Sequence, residues 1–178
     1  MSSAMSRHVS RRPEEVTIRR AERRDAEAIY DLIVELARAR DSMDKVMSSV
    51  TDIAGDGFGD DPAFEALMAE IGGAPVGLCL YFSSYSTWRG ERGIYIQDLV
   101  VTRRARGLGV GARLLTAAAA LGKARGCGYL RLSVEADNQR AQAFYTRHGL
   151  SHSEAEHIYL LDDTGFADLA AGAEESPA

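Results

Sequence analysis

Three glycines that alternate directly in front of an amphipathic helix constrain this sequence more than any other feature. Gly107, Gly109 and Gly111 precede a stripe of apolar residues at helical spacing. Glycine accepts backbone conformations that bring N–H groups close to a ligand, and the start of a helix carries unpaired N–H groups and partial positive charge. The sequence therefore predicts a phosphate or pyrophosphate site. Its residues are Arg106, Gly107, Leu108, Gly109, Val110, Gly111 and Ala112.

The elements around this segment predict an α/β fold. Strand patterns dominate before residue 101, and a strand, helix, strand, helix pattern follows. A Gly72-Gly73 turn joins two apolar segments into a hairpin, and a loop is expected over Ser83–Gly90. We expect strands at 16–18, 64–71, 75–82, 94–101, 129–134 and 157–161, and helices from about Asp25 (a candidate cap) and at 48–53, 111–125 and 138–147. Antiparallel strands first and a βαβ unit second indicate a mixed, mostly antiparallel central sheet flanked by helices.

The length of 178 residues is typical of one domain. Residues 1–14 and 170–178 have the composition of mobile tails, which leaves a single domain over 15–169. Cys79 and Cys127 lie 48 residues apart without metal-ligand spacing. The pattern predicts no bound metal and a reducing, cytoplasmic location.

The charge balance excludes several classes of partner. With 21 basic and 26 acidic side chains the net charge is −5, which disfavours nucleic acid, because binding to phosphate backbones needs a basic face. The longest strongly apolar run, residues 76–82, is too short to cross a membrane as a helix. A small molecule is the expected partner.

The glycine segment also satisfies a dinucleotide-binding pattern. Gly107-x-Gly109-x-x-Ala112 is followed by Glu135 at the end of the next expected strand. In that fold, however, the strand runs almost directly into the first glycine, whereas here five polar residues, 102–106, intervene. The chain after Glu135 is also too short for a second nucleotide-binding half. A dinucleotide binder stays open as an alternative.

Arranged as Arg106-x-x-Gly109-x-Gly111, the same residues resemble the acetyl-coenzyme A signature of the GNAT acyltransferases. The segment from Asn138 through Phe144 and Tyr145 to Gly149 resembles a second stretch of that superfamily. The resemblance implies the GNAT fold and acetyl-CoA as cosubstrate. It also implies that the pantetheine arm of the cosubstrate pairs with the backbone of Leu99, Val100 and Val101.

Shorter passages resemble one family within that superfamily, the spermidine/spermine and thialysine N-acetyltransferases. These passages are residues 56–62, 81–90 and 94–101. The family implies a homodimeric enzyme that moves acetyl groups onto small amines. It places the general acid at Tyr145 and a pantetheine hydrogen bond at Asn138, which also suits a helix N-cap.

The residues that would meet the amine depart from this family. Where the polyamine enzymes carry Glu-Asp on the central strand, this sequence has Gln97-Asp98, and Ser86 replaces another acidic residue. Polyamines need carboxylates to replace their water, and glutamine does not accept a proton at neutral pH. Strand alternation places Gln97 and Asp98 on opposite faces unless a bulge intervenes. Asp41, Tyr85 and Trp88 complete the expected acceptor site; the two aromatic residues suit a subunit contact equally well.

These residues predict an N-acetyltransferase that acetylates a primary amine of a small molecule by direct transfer. The acceptor is an amino-acid-like amine, a diamine or a polyamine. Tyr145, Gln97 and Asp98 are the candidate catalytic residues, and the proton acceptor stays open between them and water. The alternative is a catalytically silent acetyl-CoA binder that acts as a sensor or partner protein.

Overall fold

A five-stranded mixed sheet organises the structure, a computed structural model that describes residues 15–171. The strands are β1 (Val16–Arg20), β2 (Glu65–Ile71), β3 (Ala74–Ser86), β4 (Glu91–Val101) and β5 (Tyr129–Leu132). The helices are α1 (Ala26–Ala39), α2 (Val50–Asp56), α3 (Val110–Ala124), α4 (Gln139–Arg147) and α5 (Asp163–Ala171). The chain divides into two compact units at the Glu135–Ala136 bond. The first contains the whole sheet with α1–α3, and the second contains α4 and α5.

The strands follow the order β1-β2-β3-β4-β5. The first four pair antiparallel, and β5 pairs parallel to β4. Gly72 and Gly73, both at positive φ, form the two-residue turn between β2 and β3. The predicted fold class is confirmed.

The two faces of the sheet pack against different helices. On the face that we call the α1 face, side chains of β2, β3 and β4 form one cluster with α1 and α2, to which Ile29, Leu32, Met68, Leu78, Leu80 and Val100 belong. On the opposite face, the α3 face, a β-carbon at Gly77 would lie only 3.0–3.1 Å from Val110 and Leu114 of α3. Gly77 thus permits close packing of α3. Cys79 is buried on β3, and Cys127 is half-buried after α3.

An ion cluster joins β1 and β2 to the start of α1. Arg19 binds both carboxylate oxygens of Asp25, at 2.6 and 2.8 Å, and also Glu70, at 2.6 Å. Asp25 is buried, and the Arg19 guanidinium holds the pKa of that carboxyl below its usual range. Asp25 directly precedes α1, but its carboxylate accepts from the backbone N–H of Glu22 and caps no N–H group of α1. The expectation of an α1 cap at Asp25 is therefore wrong in its chemistry, because Arg19 and the preceding turn take its oxygens.

Two other elements differ from the expectation. The loop expected over Ser83–Gly90 is a turn of four residues, 87–90, because β3 continues to Ser86 and β4 begins at Glu91. The strand expected over His157–Leu161 is absent, and these residues are exposed without regular structure. Apolar character alone does not make a strand, since a strand also needs a partner for its hydrogen bonds.

The second unit contains an unpredicted helix. Helix α5 runs from Asp163 to Ala171, so it includes the first two residues of the expected C-terminal tail. The rest of that tail and the expected N-terminal tail, residues 172–178 and 1–14, lie outside the described residues. Among the helices of residues 15–171, none combines the length and apolar character needed to span a bilayer.

Candidate active site

The glycine turn before α3 has the conformation that its sequence predicts. Gly107 has φ 82° and Gly109, the residue at the helix N-cap, has φ 75°. A β-carbon built on either glycine would meet no atom within 4 Å. These two glycines are therefore required by backbone conformation and line open space, whereas Gly111 lies inside the first turn of the helix.

Backbone N–H groups collect at this turn. The first hydrogen bond of α3 runs from the Arg113 N–H to the Gly109 carbonyl, 3.1 Å away, so the N–H groups of Val110, Gly111 and Ala112 precede the helical ladder. Arg106 is exposed, and its Nε lies 3.4 Å from the carbonyl oxygen of Val101 at the end of β4. The turn combines donors, a helix N-terminus and a cation, a set that fits an anionic phosphate group.

A β-bulge interrupts β4 at Gln97. Leu80 of β3 pairs with Asp98, but the next residue, Tyr81, pairs with Ile96, so Gln97 has no opposing residue. The side chains confirm the shift. Ile96 pairs with a residue of the α3 face, whereas Val100 belongs to the α1 cluster. An unbroken strand would place these two residues on the same face.

The bulge brings Asp98 to the α1 face, because directly paired residues share a face and Leu80 belongs to the α1 cluster. Asp98 is half-buried, and loss of hydration raises the pKa of its carboxyl. Within the described chain it has no hydrogen bond or ion pair. The side chain of Gln97 is exposed. A bulge was the condition under which Gln97 and Asp98 could approach one substrate, and β4 contains this bulge.

The two strands β4 and β5 separate directly after the bulge. Their parallel pairing ends at Ile96 and Leu132, while β4 stays paired with β3 as far as Val101. Among residues 15–171, no strand pairs with the other edge of Leu99–Val101. A ligand with amide groups would find backbone hydrogen-bonding partners there, in the manner of an added strand.

Polar and aromatic side chains lie beside this opening. Tyr95 stacks on Phe82, with ring centroids 4.9 Å apart, and its hydroxyl lies 2.7 Å from Ser133 Oγ. The guanidinium of Arg131 lies 6.0 Å from the centre of the Tyr95 ring. Sequence reasoning did not select these residues, since no local pattern distinguishes Tyr95 from an ordinary strand residue.

An ion pair joins the end of α1 to the chain that follows β5. Arg40, the C-cap of α1, pairs with Glu135. The next residue, Asp41, is exposed and has φ 53°, a left-handed conformation that aspartate tolerates better than most residues. Sequence reasoning selected Asp41 as a substrate-binding residue, and this role remains a prediction. The residue of this segment that forms the ion pair with Glu135 is Arg40.

Tyr85 and Trp88 lie at the far end of the β3–β4 hairpin. The side chain of Trp88 is fully exposed and that of Tyr85 is 62% exposed. Both expectations for them, a wall of the acceptor pocket and a subunit contact, remain predictions.

Asn138 and Tyr145 belong to the second unit and are described within it. Asn138 caps α4, its Oδ1 accepting from the Ala141 N–H at 3.1 Å, as predicted. This bond uses the acceptor end of the amide, so the donor end is compatible with a second contact. Tyr145 is half-buried in α4 with its ring against Phe144, centroids 5.1 Å apart, and Gly149 at φ 86° ends the helix.

The family described as "Acetyltransferase (GNAT) family" matches residues 26–150. The chain belongs to this family. The match includes the glycine turn, the bulge and α4, and it identifies the chain as an enzyme, an N-acetyltransferase. The dinucleotide alternative is wrong, because a GNAT sheet with β4 antiparallel to β3 is not the parallel sheet of that fold.

Relatives with named activities support the same assignment. The chain is 37% identical to the thialysine N-epsilon-acetyltransferase of Bos taurus over 166 residues, 87% of this chain and 97% of that protein. It is 32% identical to the spermidine/spermine N(1)-acetyltransferase-like protein 1 of Homo sapiens over 86% of this chain and 23% of that protein. The suspected family is thereby confirmed, and with it acetyl transfer to an amine.

Solved GNAT structures share the fold. An aminoglycoside N-acetyltransferase in complex with CoA superposes with a TM-score of 0.69 over 85% of this chain and 98% of that chain, at 17% identity. Across residues 15–171, no group of three or more His, Cys, Asp or Glu side chains is arranged to hold a metal ion.

Proposed function

We propose that this GNAT enzyme transfers the acetyl group of acetyl-CoA to the terminal amine of a small, lysine-like amino acid or diamine. The observation that carries the proposal is Asp98, a half-buried carboxylate without a partner in the described chain, at the bulge where β4 and β5 separate. A carboxylate in this position suits a cationic amine. The named substrates of the relatives, thialysine above all, point to a lysine-like side chain.

The open glycine turn fits the pyrophosphate of acetyl-CoA. The residues from Arg106 to Ala112 supply a cation, N–H donors and a helix N-terminus. The backbone of Leu99, Val100 and Val101 would pair with the pantetheine amides, with one N–H directed at the thioester oxygen. Asn138 would add a hydrogen bond to the pantetheine arm.

The transfer needs a neutral amine and a proton for the departing thiolate. The amine nitrogen forms a bond to the acetyl carbon, the carbon–sulfur bond breaks, and the Tyr145 hydroxyl supplies the thiolate proton. Asp98 binds the incoming ammonium. Gln97 does not accept the amine proton, so it holds the water that takes it, with Asp98 beside it.

The first test compares ligands and variants. A ligand at a hundred times its dissociation constant stabilises a protein by about 2.7 kcal/mol, so acetyl-CoA and CoA should raise the melting temperature and NAD should not. Amine-dependent release of CoA establishes turnover. Tyr145→Phe should lower kcat at least tenfold while keeping the stabilisation by CoA, and Tyr159→Phe, an exposed tyrosine in the same unit, should change neither.

Two glycine variants separate the proposed cofactor site from backbone strain. Gly109→Ala and Gly90→Ala both place a β-carbon at positive φ, 75° and 63°, in open space, so both should destabilise the protein similarly. Only Gly109→Ala should lose the stabilisation by CoA. Stabilisation without amine-dependent turnover would favour the silent binder, and equal responses of the two variants would remove the pyrophosphate assignment.

The proposal includes a cytoplasmic homodimer, as the family resemblance implies. The exposure of Trp88 and Tyr85 is compatible with a subunit contact. Sedimentation of the wild type and of Trp88→Ala tests it, since a contact through this hairpin would weaken with the substitution.

A further inference from the structure

The Arg40–Glu135 ion pair lies at the opening between β4 and β5. Helix α1, whose C-cap is Arg40, packs on the same face that carries Asp98. Glu135 follows β5, three residues beyond the last residue paired with β4. Ser133, the first residue beyond the last pair, is joined by a hydrogen bond to Tyr95 of the paired part of β4. The pair therefore brings one fixed positive and one fixed negative charge to the side of the opening that faces α1.

The distribution of charge suits an acceptor whose head carries both a positive and a negative charge. Gln97 is neutral, and the Glu135 carboxylate, which would attract a second ammonium, lies beside the Arg40 guanidinium, which would repel it. The same guanidinium suits a carboxylate, which it binds through two parallel N–H donors. The side chains of Arg40 and Glu135 are 26% and 54% exposed, so both are accessible from solvent.

We propose that Arg40 and Glu135 together recognise the α-carboxylate and the α-ammonium of an amino-acid acceptor, whose terminal amine reaches Asp98 at the bulge. This inference rests on the proposed function and names the part of the substrate that decides specificity. In the free enzyme Arg40 and Glu135 pair with each other. On binding, a zwitterion presents one opposite charge to each, so neither is left unpaired.

The dimensions agree with a lysine-like chain. Glu135 lies three residues beyond Leu132, and Asp98 lies two residues beyond Ile96, the last pair of β5 and β4, so each lies within about 10 Å of that pair at the reach of an extended chain. An extended lysine side chain measures about 6 Å from its α-carbon to its terminal nitrogen, at the bond lengths of an sp³ chain. An acceptor of this length, with its head at the ion pair, therefore has the size needed to bring its amine toward the bulge.

The experiment uses four amines with the same five-carbon spacing. Lysine carries both head groups, 1,5-diaminopentane lacks the carboxylate, 6-aminohexanoate lacks the α-amine, and pentylamine lacks both. For the wild type, kcat/KM should be highest for lysine, by at least tenfold over pentylamine. Arg40→Ala should lower kcat/KM for lysine and 6-aminohexanoate about tenfold or more, leave that for pentylamine within twofold, and not lower that for 1,5-diaminopentane.

Glu135→Gln should show the complementary pattern. It should lower kcat/KM for lysine and 1,5-diaminopentane and leave 6-aminohexanoate and pentylamine within twofold. Arg38→Ala removes an exposed arginine from the same turn of α1 and should leave all four values unchanged. Stabilisation by CoA, measured on every variant, verifies that fold and cofactor site are intact.

The outcomes separate this inference from the proposed function. If the wild type acetylates all four amines equally, or if Arg40→Ala lowers all four values by the same factor, the pair only positions the end of α1 and the inference is overturned, while acetyl transfer to amines stands. If CoA binds and the wild type acetylates none of the four, the proposed acceptor class and the inference fail together.

Discussion

Asp25, directly before α1, and Asp98, in β4, are two aspartates with opposite environments. Asp25 is buried, but it receives two hydrogen bonds from Arg19 and one from the backbone, and the pKa of its carboxyl is lowered. Asp98 is more accessible, yet it has no such donor within the described chain, and loss of hydration raises its pKa. Loss of hydration acts to raise the pKa of both carboxyls, and the hydrogen bonds from Arg19 reverse the direction for Asp25 alone.

This difference indicates which aspartate supports the fold and which supports the chemistry. A carboxylate with its hydrogen bonds satisfied inside the protein stabilises the native state and gains little from a ligand. A carboxylate that has lost water without gaining a partner gains most when a cationic group arrives. Four predictions test the contrast, from the largest expected effect to the smallest.

The largest effect is expected at Arg19. Arg19→Met should lower the free energy of unfolding by about 3 kcal/mol, because it leaves the buried Asp25 without its cation. Urea denaturation of the purified protein measures this change. The matched variant is Arg24→Met, whose exposed pair with Glu22 at 3.0 Å should contribute below about 1 kcal/mol. Equal losses in both variants would contradict the structural role of the Arg19 cluster.

Replacement of Asp98 should lower the activity without lowering the stability. Asp98→Asn should reduce kcat/KM for the amine about a hundredfold, the loss expected when one partner of a desolvated charge pair is removed, and should raise the stability at neutral pH, because a poorly solvated charge is removed. Steady-state kinetics and thermal unfolding measured on the same preparation test both. A variant that is both active and less stable would assign Asp98 to the fold instead.

The two aspartates should impose opposite slopes on stability against pH. The stabilisation from Asp25 is present above the unfolded pKa of about 3.8 and is lost as the pH falls through its lowered folded value. The folded state holds the proton of Asp98 more tightly, so the contribution of Asp98 declines as the pH rises from 3.8 through its raised folded value. Unfolding free energies of wild type, Asp25→Asn and Asp98→Asn between pH 3 and pH 7, taken as differences, should show these two signs. If the difference curves of the two variants had the same slope, Asp25 and Asp98 would not differ in their contribution to stability.

The smallest effect is expected from Gln97→Glu. A second carboxylate at the bulge should raise the pKa of Asp98 further by like-charge repulsion, and should shift the acid limb of the pH dependence of kcat/KM upward by less than about 1 unit. It should also raise the ratio of kcat/KM for 1,5-diaminopentane to kcat/KM for lysine by a few-fold, because the added charge attracts a second ammonium. Gln142→Glu makes the same change on the exposed surface of α4 and should do neither.

Local sequence rules predicted the elements whose cause is local. The Gly72-Gly73 turn, the glycines before α3 and the Asn138 cap each follow from the conformational preferences of a few neighbouring residues. The glycine turn and the central strand were therefore located from the sequence. The amine-binding part of the site was only partly located, because its arrangement depends on residues that are distant in sequence.

Features that depend on distant pairing escaped the sequence. The bulge at Gln97 is a property of the register between β3 and β4, and alternation along β4 alone places Gln97 and Asp98 on opposite faces without showing whether a bulge intervenes. The Arg40–Glu135 pair joins residues 95 positions apart. Residues 157–161 show the converse error, since their composition favours a strand although no strand among the described residues of the second unit pairs with them.

The burial of Cys79 has a practical consequence for measurement. Desolvation, with the nearby Asp98 charge, raises the pKa of its thiol to about 12, and a thiol without thiolate character reacts slowly with disulfide reagents and alkylating agents. The chain has two cysteines, so the native protein should present one reactive sulfur, that of the half-buried Cys127. Colorimetric detection of released CoA should then carry a background of one protein thiol per chain, and a maleimide dye should label a single defined position opposite the glycine turn, at the far end of α3.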